Sequence, residues 1–354
     1  MASIYTAIQI YLLVRWTNSA PFHVRTSVAA AALSVVTGVG ILVLSTLEHS
    51  RSIRPSTILQ LFLITTILSD TAICRTLWLI GKDDQIERAF TVAVFSKAVL
   101  LCLEVVEKRR WLEPKYKNLK GEALGGFANL SVFWWLNDIF LTGYKKILVL
   151  ADIEGIEEAR RAQALETTFQ EHWANTSHDK PHALLLTLGW TLRWSLAASV
   201  FPRLCLIGFK FSQPFLIGSL IQYLDSPLLE DNVGNGLIGA YALAYTGVAV
   251  STGVYWYQAY RTITMVRGSL IAVIYSRTLS LALSTQYPSA PSALMSIDVE
   301  RICTCLSNLH ELWANILEVG IAIYILERKI GVACISPALL ALCKLIYKVV
   351  YFAP

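Results

Sequence analysis

Charge is what this chain has least of. Only 16% of its 354 residues are Asp, Glu, Lys or Arg, while 55% are apolar, and the mean hydropathy is +0.52. An ordinary soluble domain carries about 25% charge, so this composition excludes one and marks an integral, multi-pass membrane protein. The net charge of +5 is modest, and no basic block with interleaved aromatics occurs, which excludes nucleic acid as a partner. Histidine is scarce as well. Six residues are too few for a multi-box di-iron site, and the His178/His182 pair has Pro181 between its members, which breaks the helix the spacing would need. The seven cysteines (Cys74, Cys102, Cys205, Cys303, Cys305, Cys334 and Cys343) lie mostly in apolar segments, where cysteine acts as a small hydrophobe, and none forms a C-x-x-C pair. The phosphate-cradling pattern G-x-x-x-x-G-K-[S/T] is missing; the single Gly-Lys, Gly81-Lys82, is followed by Asp83. No G-x-S-x-G elbow is present. The chain therefore offers no catalytic constellation, no metal site and no cofactor site, and the expectation is that it is not itself an enzyme. Met1–Trp16 lacks a basic leader region and an A-x-A site, so it does not read as a signal peptide.

What the chain does have is one dominant stretch, Leu237–Leu326. Its first arm, Leu237–Leu283, contains no proline and three charges, Arg261, Arg267 and Arg277. As one helix it would be about 70 Å long, whereas a bilayer core of about 30 Å needs about 20 residues. Much of the arm must project from the membrane, and its arginines put the projecting end in the cytoplasm. Ser284–Pro291 holds two prolines that end the first helix. The second arm, Ser292–Leu326, begins polar and turns apolar after Trp313. Two such helices meeting at a turn form a lever.

Four apolar segments lie ahead of this stretch: Ile4–Val14, Ser27–Leu47, Thr57–Ile80 and Phe90–Val106. The first is short for a span and reads as a remnant or an interfacial segment; the others are long enough. The basic loop at Arg51 and Arg54, and the exit Glu107–Lys120, are placed in the cytoplasm. Asp70, Arg75, Lys97 and Glu104 fall in or near spans, where charge is costly. Glu107–Lys180 carries 11 of the 30 basic and 11 of the 25 acidic residues, so it reads as a solvated linker. Within it, Ser131–Phe140 and Gly143–Lys146 mix aromatics with lysines, as suits an interfacial helix. Asp152–Glu171 reads as a charged amphipathic surface helix. Ala183–Leu224 is over-long for a span, with kinks expected at Pro202 and Pro214. Asp225–Gly236 reads as an external loop, and Val332–Val350 as a last span. Arg203 and Lys210 are seven residues apart and share a helix face. With Glu318 in another apolar span they suggest a basic wall of a substrate cavity suited to anions, or else a structural ion pair.

Several stretches resemble a known family. Ser45–Ser56, Arg75-Thr76-Leu77-Trp78, Glu107-Lys108-Arg109-Arg110, Ser131–Asn137, Pro202–Phe209, Gln213–Ile217, Thr264–Gly268, Leu294–Ile302 and His310-Glu311-Leu312-Trp313 are similar, in order, to the N-terminal part of C-subfamily ABC exporters of the multidrug-resistance-associated type, in particular the fungal members. The resemblance implies an all-α polytopic protein. Residues 1–106 would be an incomplete accessory transmembrane domain and 107–182 a cytoplasmic linker with an interfacial lasso helix. Residues 183–354 would be about four helices of a first ABC transmembrane domain. It also implies that the lever tip, with Ser284, Gln286, Tyr287 and Ser289, is a coupling element resting on a nucleotide-binding domain. ATP and Mg belong to the full-length family and have no site in these residues. The implied setting is the lipid bilayer of the plasma or vacuolar membrane. The implied partners are a missing transporter half or nucleotide-binding domains, and the implied substrates are organic anions, conjugates or secondary metabolites. Against the family pattern, Pro291-Ser292-Ala293 stands where a glycine usually precedes the Leu-Met-Ser run, and Asp138 where a proline is common. The resemblance thus describes a truncated transporter; a membrane scaffold or regulator that associates with another transporter is the alternative.

Overall fold

The structure, a computed structural model, describes residues 1–18, 25–52, 54–81, 84–106, 122, 124–149, 160–176, 182–226, 231–280, 290–331 and 339–340. Among the described residues it is helical with no strand, the fold of an all-α polytopic membrane protein. Five helical stretches are long and apolar enough to cross a membrane: Thr26–Arg51, Thr57–Ile80, Arg193–Leu224, Asp231–Ser280 and Leu294–Ile330. The chain divides into two compact units, Met1–Gly155 and Ile156–Pro354, so the boundary falls within the stretch 107–182. The lever tip with Ser284, Gln286, Tyr287 and Ser289, nearly all of Val332–Val350, and the whole of Glu107–Lys120 lie outside the described residues.

In the first unit α1 (Ala2–Asn18), α2 (Arg25–Arg51), α3 (Thr57–Ile80) and α4 (Asp84–Val105) pack so that α1 touches α2 and α4, and α3 lies against α4. Local chemistry sets the ends of α3. The Ser56 hydroxyl accepts from the Leu59 amide, and Gly81 closes the last turn at φ 56°. The apolar seam is Tyr5, Ile41, Leu59, Leu63 and Leu100. α1 is thus a full helix whose Tyr5 and Leu12 are buried, where the sequence suggested a remnant or a helix at the interface. The 22-residue α4 is not among the five apolar stretches, because it carries Asp84, Glu87, Arg88, Lys97 and Glu104. Two of these charges turn toward neighbouring helices: Lys97 pairs with Asp70 of α3 and lies 5.4 Å from the Tyr5 ring centre, and Ser45 of α2 donates to Glu104 at 2.5 Å.

The aromatic-rich stretch after α4 is not one helix. It forms α5 (Phe127–Ser131), a single 3₁₀ turn at Trp134–Leu136, and α6 (Asn137–Lys145). Phe133 between them sits at φ 57°, a conformation side chains rarely adopt, and this breaks the run. One buried amide ties α5 to the helices before it. Gln60 of α3 donates through Nε2 to the Glu104 carbonyl at 2.9 Å and accepts through Oε1 from the Ala128 amide at 3.1 Å. Both backbone groups belong to helix ends, where no intrahelical partner exists. Gly126 makes the approach possible, since a Cβ there would stand 2.6 Å from Gln60 Nε2 and 3.0 Å from Pro55 Cβ.

The second unit contains α7 (Ala162–Ala174), α8 (Ala183–Thr191), α9 (Arg193–Leu224) and α10 (Asp231–Ser280). They are followed by α11 (Ala290–Ala293), a π-helical turn at Leu294–Asp298, α12 (Val299–Ser307) and α13 (Leu309–Ile330). The over-long apolar stretch is divided at Leu192, which turns into the core, and α9 continues through both Pro202 and Pro214. α10 is the expected first arm: 50 residues, about 75 Å at the helical rise. It starts at Asp231, so Gly234 and Gly236 lie within helix rather than in an external loop. α9 and α10 cross closely enough that a Cβ at Gly247 would lie 2.6 Å from the Phe209 ring. The second arm is interrupted twice, at the π-helical turn and at Asn308, where the sequence reads as one helix. Of the amphipathic helix expected over 152–171, residues 152–159 lie outside the described residues and 162–171 fall in α7, which is not only a surface element. Leu165 and Phe169 join Leu188, Leu192, Met265, Val266, Leu270, Val299 and Cys303 in one apolar core around the C-terminal half of α10, because its apolar residues recur at helical spacing on one face.

Candidate functional site

The largest concentration of charge inside an apolar part of the second unit joins α9, α10 and α13. Arg203 lies ten residues into α9, about 15 Å along its axis, and is only 4% exposed. A guanidinium cannot shed its charge there, so it has to be matched. Arg203 Nη2 donates to Glu311 Oε2 at 2.8 Å, and Glu318 Oε1 lies 3.2 Å from the same nitrogen. Glu311 and Glu318 are seven residues apart on α13 and so share a face. Lys210 Nζ stands 3.9 Å from Glu318 with its side chain 45% exposed. The structure therefore brings Arg203, Lys210 and Glu318 together and adds a second carboxylate. Two cations meet two anions, and the cluster is formally neutral.

Aromatic groups wall this cluster. Tyr255 of α10 is fully buried and donates its hydroxyl to Glu311 Oε1 at 3.0 Å, while the Arg203 guanidinium lies 5.4 Å from the Tyr255 ring centre. Glu311 is thus held on both oxygens. His310 meets Tyr255 edge-on at 6.4 Å and Trp313 at 6.3 Å. An indole N–H can only donate, so in the 3.2 Å contact from Trp313 Nε1 His310 Nδ1 accepts, and its ring is the neutral tautomer protonated on Nε2. Among the described residues Arg203 Nε and, one turn earlier on α9, Ser199 Oγ are buried without a hydrogen-bond partner, and Glu318 Oε1 has only its ion-pair contacts. Among the described residues no group of His, Cys, Asp and Glu is placed to hold a metal ion.

Sequence reasoning found Arg203, Lys210 and Glu318 but missed Glu311, Tyr255 and His310 as members of the cluster. A usable signal was there. The heptad pair Arg203/Lys210 on one helix is mirrored by the heptad pair Glu311/Glu318 on another. Tyr255 gave none, because a tyrosine in a tyrosine-rich helix looks like any other.

No protein-family model matches the chain. Individual relatives do. The chain is 38% identical over 346 residues to a protein of Gibberella zeae named ABC-type transporter FG02316, a match covering 97% of this chain and 23% of that protein. It is 38% identical over 344 residues to ABC multidrug transporter B of Aspergillus fumigatus, covering 96% and 24%. To ABC multidrug transporter lscH of Purpureocillium lilacinum it is 39% identical over 327 residues, covering 90% and 21%. The homologues of this multi-pass membrane protein are thus fungal proteins named ABC transporters, and the chain spans about a quarter of the length of the curated relatives it matches.

Proposed function

We propose that these residues form a membrane-spanning part of an ABC exporter of the C-subfamily, in the plasma or vacuolar membrane, which moves organic anions, conjugates or secondary metabolites. The likeness to fungal ABC transporters along almost the whole chain carries the reading. α10 supports it, because a helix of this length serves both a bilayer and a cytoplasmic extension. The partners on this reading are nucleotide-binding domains and a second transporter half, which bind ATP and Mg. The α9–α10–α13 cluster lies on the translocation path. Arg203 is not a bare cation there: an anionic substrate reaches it only by displacing Glu311 or Glu318. The test begins with the transcript. Reading through codon 354 into a G-x-x-x-x-G-K-[S/T] motif, followed by ATP-driven uptake of a fluorescent organic anion into vesicles holding that product, would support the proposal. A stable transcript ending at that codon, whose product co-purifies with a separate transporter, would replace it with a scaffold or regulator.

A further inference from the structure

At the junction of α8 and α9, Arg193 lies between two tryptophans. Its guanidinium is 4.5 Å from the Trp190 ring centre and 5.6 Å from that of Trp194. The two indoles are 60% and 77% exposed. Among the described residues Arg193 has no carboxylate partner and neither indole N–H has an acceptor. This is an uncompensated cation flanked by two free donors on an exposed face.

Its depth follows from its neighbours. The Thr262 hydroxyl donates to the Ser195 carbonyl at 3.3 Å, which puts residue 262 of α10 level with the start of α9. C-terminal to that level, α10 is wrapped by the charged helix α7 and carries the half-exposed pair Arg267–Glu300 at 2.5 Å. This side is solvated. On the other side, α9 exposes Phe201 and Leu204, and its buried Arg203 follows about 15 Å further in. Trp256 and Tyr260 stack on α10 at 5.5 Å just inside the same level. Aromatic rings gather where membrane meets water, and an arginine at that height faces headgroups.

We infer that Trp190, Arg193 and Trp194 form a site for the phosphate of an anionic phospholipid at the cytoplasmic membrane surface. The guanidinium fork matches phosphate oxygens, the indole N–H groups supply further donors, and the exposed Phe201 and Leu204 of α9 accept the acyl chains. A free phosphate ion would have no use for that apolar surround. The inference concerns the outer, lipid-facing side of the unit and is independent of what passes through its interior.

The experiment is lipid retention by the full 354-residue chain in detergent, read by native mass spectrometry. Phosphatidylglycerol is compared with phosphatidylcholine of the same acyl chains. The wild type retains phosphatidylglycerol preferentially. Arg193→Gln loses about fivefold of that preference, the factor that corresponds to the about 1 kcal/mol expected of one basic residue at an anionic surface, and Arg193→Lys falls between them. Millimolar inorganic phosphate does not displace the lipid. Protection of the buried Cys303 thiol in each variant verifies the fold. Equal retention by wild type and Arg193→Gln overturns the site. So does displacement by inorganic phosphate, and so does a photoreactive group at position 194 that labels protein instead of lipid in native membranes.

Discussion

Arg203→Met removes the one cation that both α13 carboxylates touch while keeping much of the side-chain volume. Glu311 then retains the Tyr255 hydroxyl, and Glu318 retains Lys210 at 3.9 Å. Breaking a buried ion pair by deleting one partner costs about 3–5 kcal/mol. The Glu311 and Glu318 side chains are 28% and 25% exposed, so water takes up part of the loss and about 3 kcal/mol is the reasoned figure. At about 2–4 °C per kcal/mol for a unit of this size, the midpoint should fall by roughly 6–12 °C. With the other cysteines replaced by serine, Cys303 is the reporter: it is 1% exposed and becomes reactive toward a fluorogenic maleimide on unfolding. The decisive control is the triple variant Arg203→Met, Glu311→Gln, Glu318→Gln. Neutralising the buried members of an ion cluster is often harmless, and the remaining Lys210 is 45% exposed to solvent, so the triple variant should regain most of the lost midpoint. A triple variant as unstable as Arg203→Met would refute the charge argument and leave lost packing as the cause.

Gln60→Leu strands the Ala128 amide and the Glu104 carbonyl, at about 1–3 kcal/mol, and Gly126→Ala pushes a methyl into the same amide; in both, hydrogen exchange at Ala128 should speed up while the α3–α4 interior stays protected. Asn129 and Asn175 open N-x-[S/T] sequons on segments assigned to the cytoplasm, so expression in a eukaryotic host should give a product whose mobility endoglycosidase leaves unchanged; a shift lost in Asn175→Gln would invert the topology. Glu311→Gln uncovers Arg203, and on the proposed reading a fluorescent organic anion should then quench tryptophan emission at several-fold lower concentration than in wild type; unchanged or weaker quenching would count against the path.

Membrane helices were legible because they are long and apolar. Interruptions were not. Leu192 and Asn308 break helices without proline or glycine, whereas Pro202 and Pro214 sit inside α9 without ending it. Burial against α7 and α10 sets the turn at Leu192, and a single sequence carries no such information. The ion cluster was half legible. A charge in an apolar run announces itself one residue at a time, but its partner is fixed by how helices cross. Gln60 shows the limit most sharply. It looks like an ordinary polar residue near a helix start, yet it is fully buried and satisfies two helix ends.

The two arms of the second unit differ in stiffness, and the difference sits where it bears on the cluster. α10 is unbroken from Asp231 to Ser280. It carries Tyr255 at the ion cluster and Met265, Val266 and Leu270 in the apolar core shared with α7, so those two places are joined by roughly 15–23 Å of one unbroken helix. The return path is jointed. The π-helical turn at Leu294–Asp298 precedes α12, and Asn308 separates α12 from α13, only two residues before His310 and three before Glu311. Interrupted hydrogen-bond ladders are where a helix bends at least cost. On the proposed function, an axial displacement of α10 is passed along an unbroken helix to Tyr255, while α12 packs on α10 through Val299 and Cys303. The contacts that must then change are those joining α10 to α13, and the Tyr255–Glu311 hydrogen bond, with the Arg203 pair beside it, is the polar member of that set.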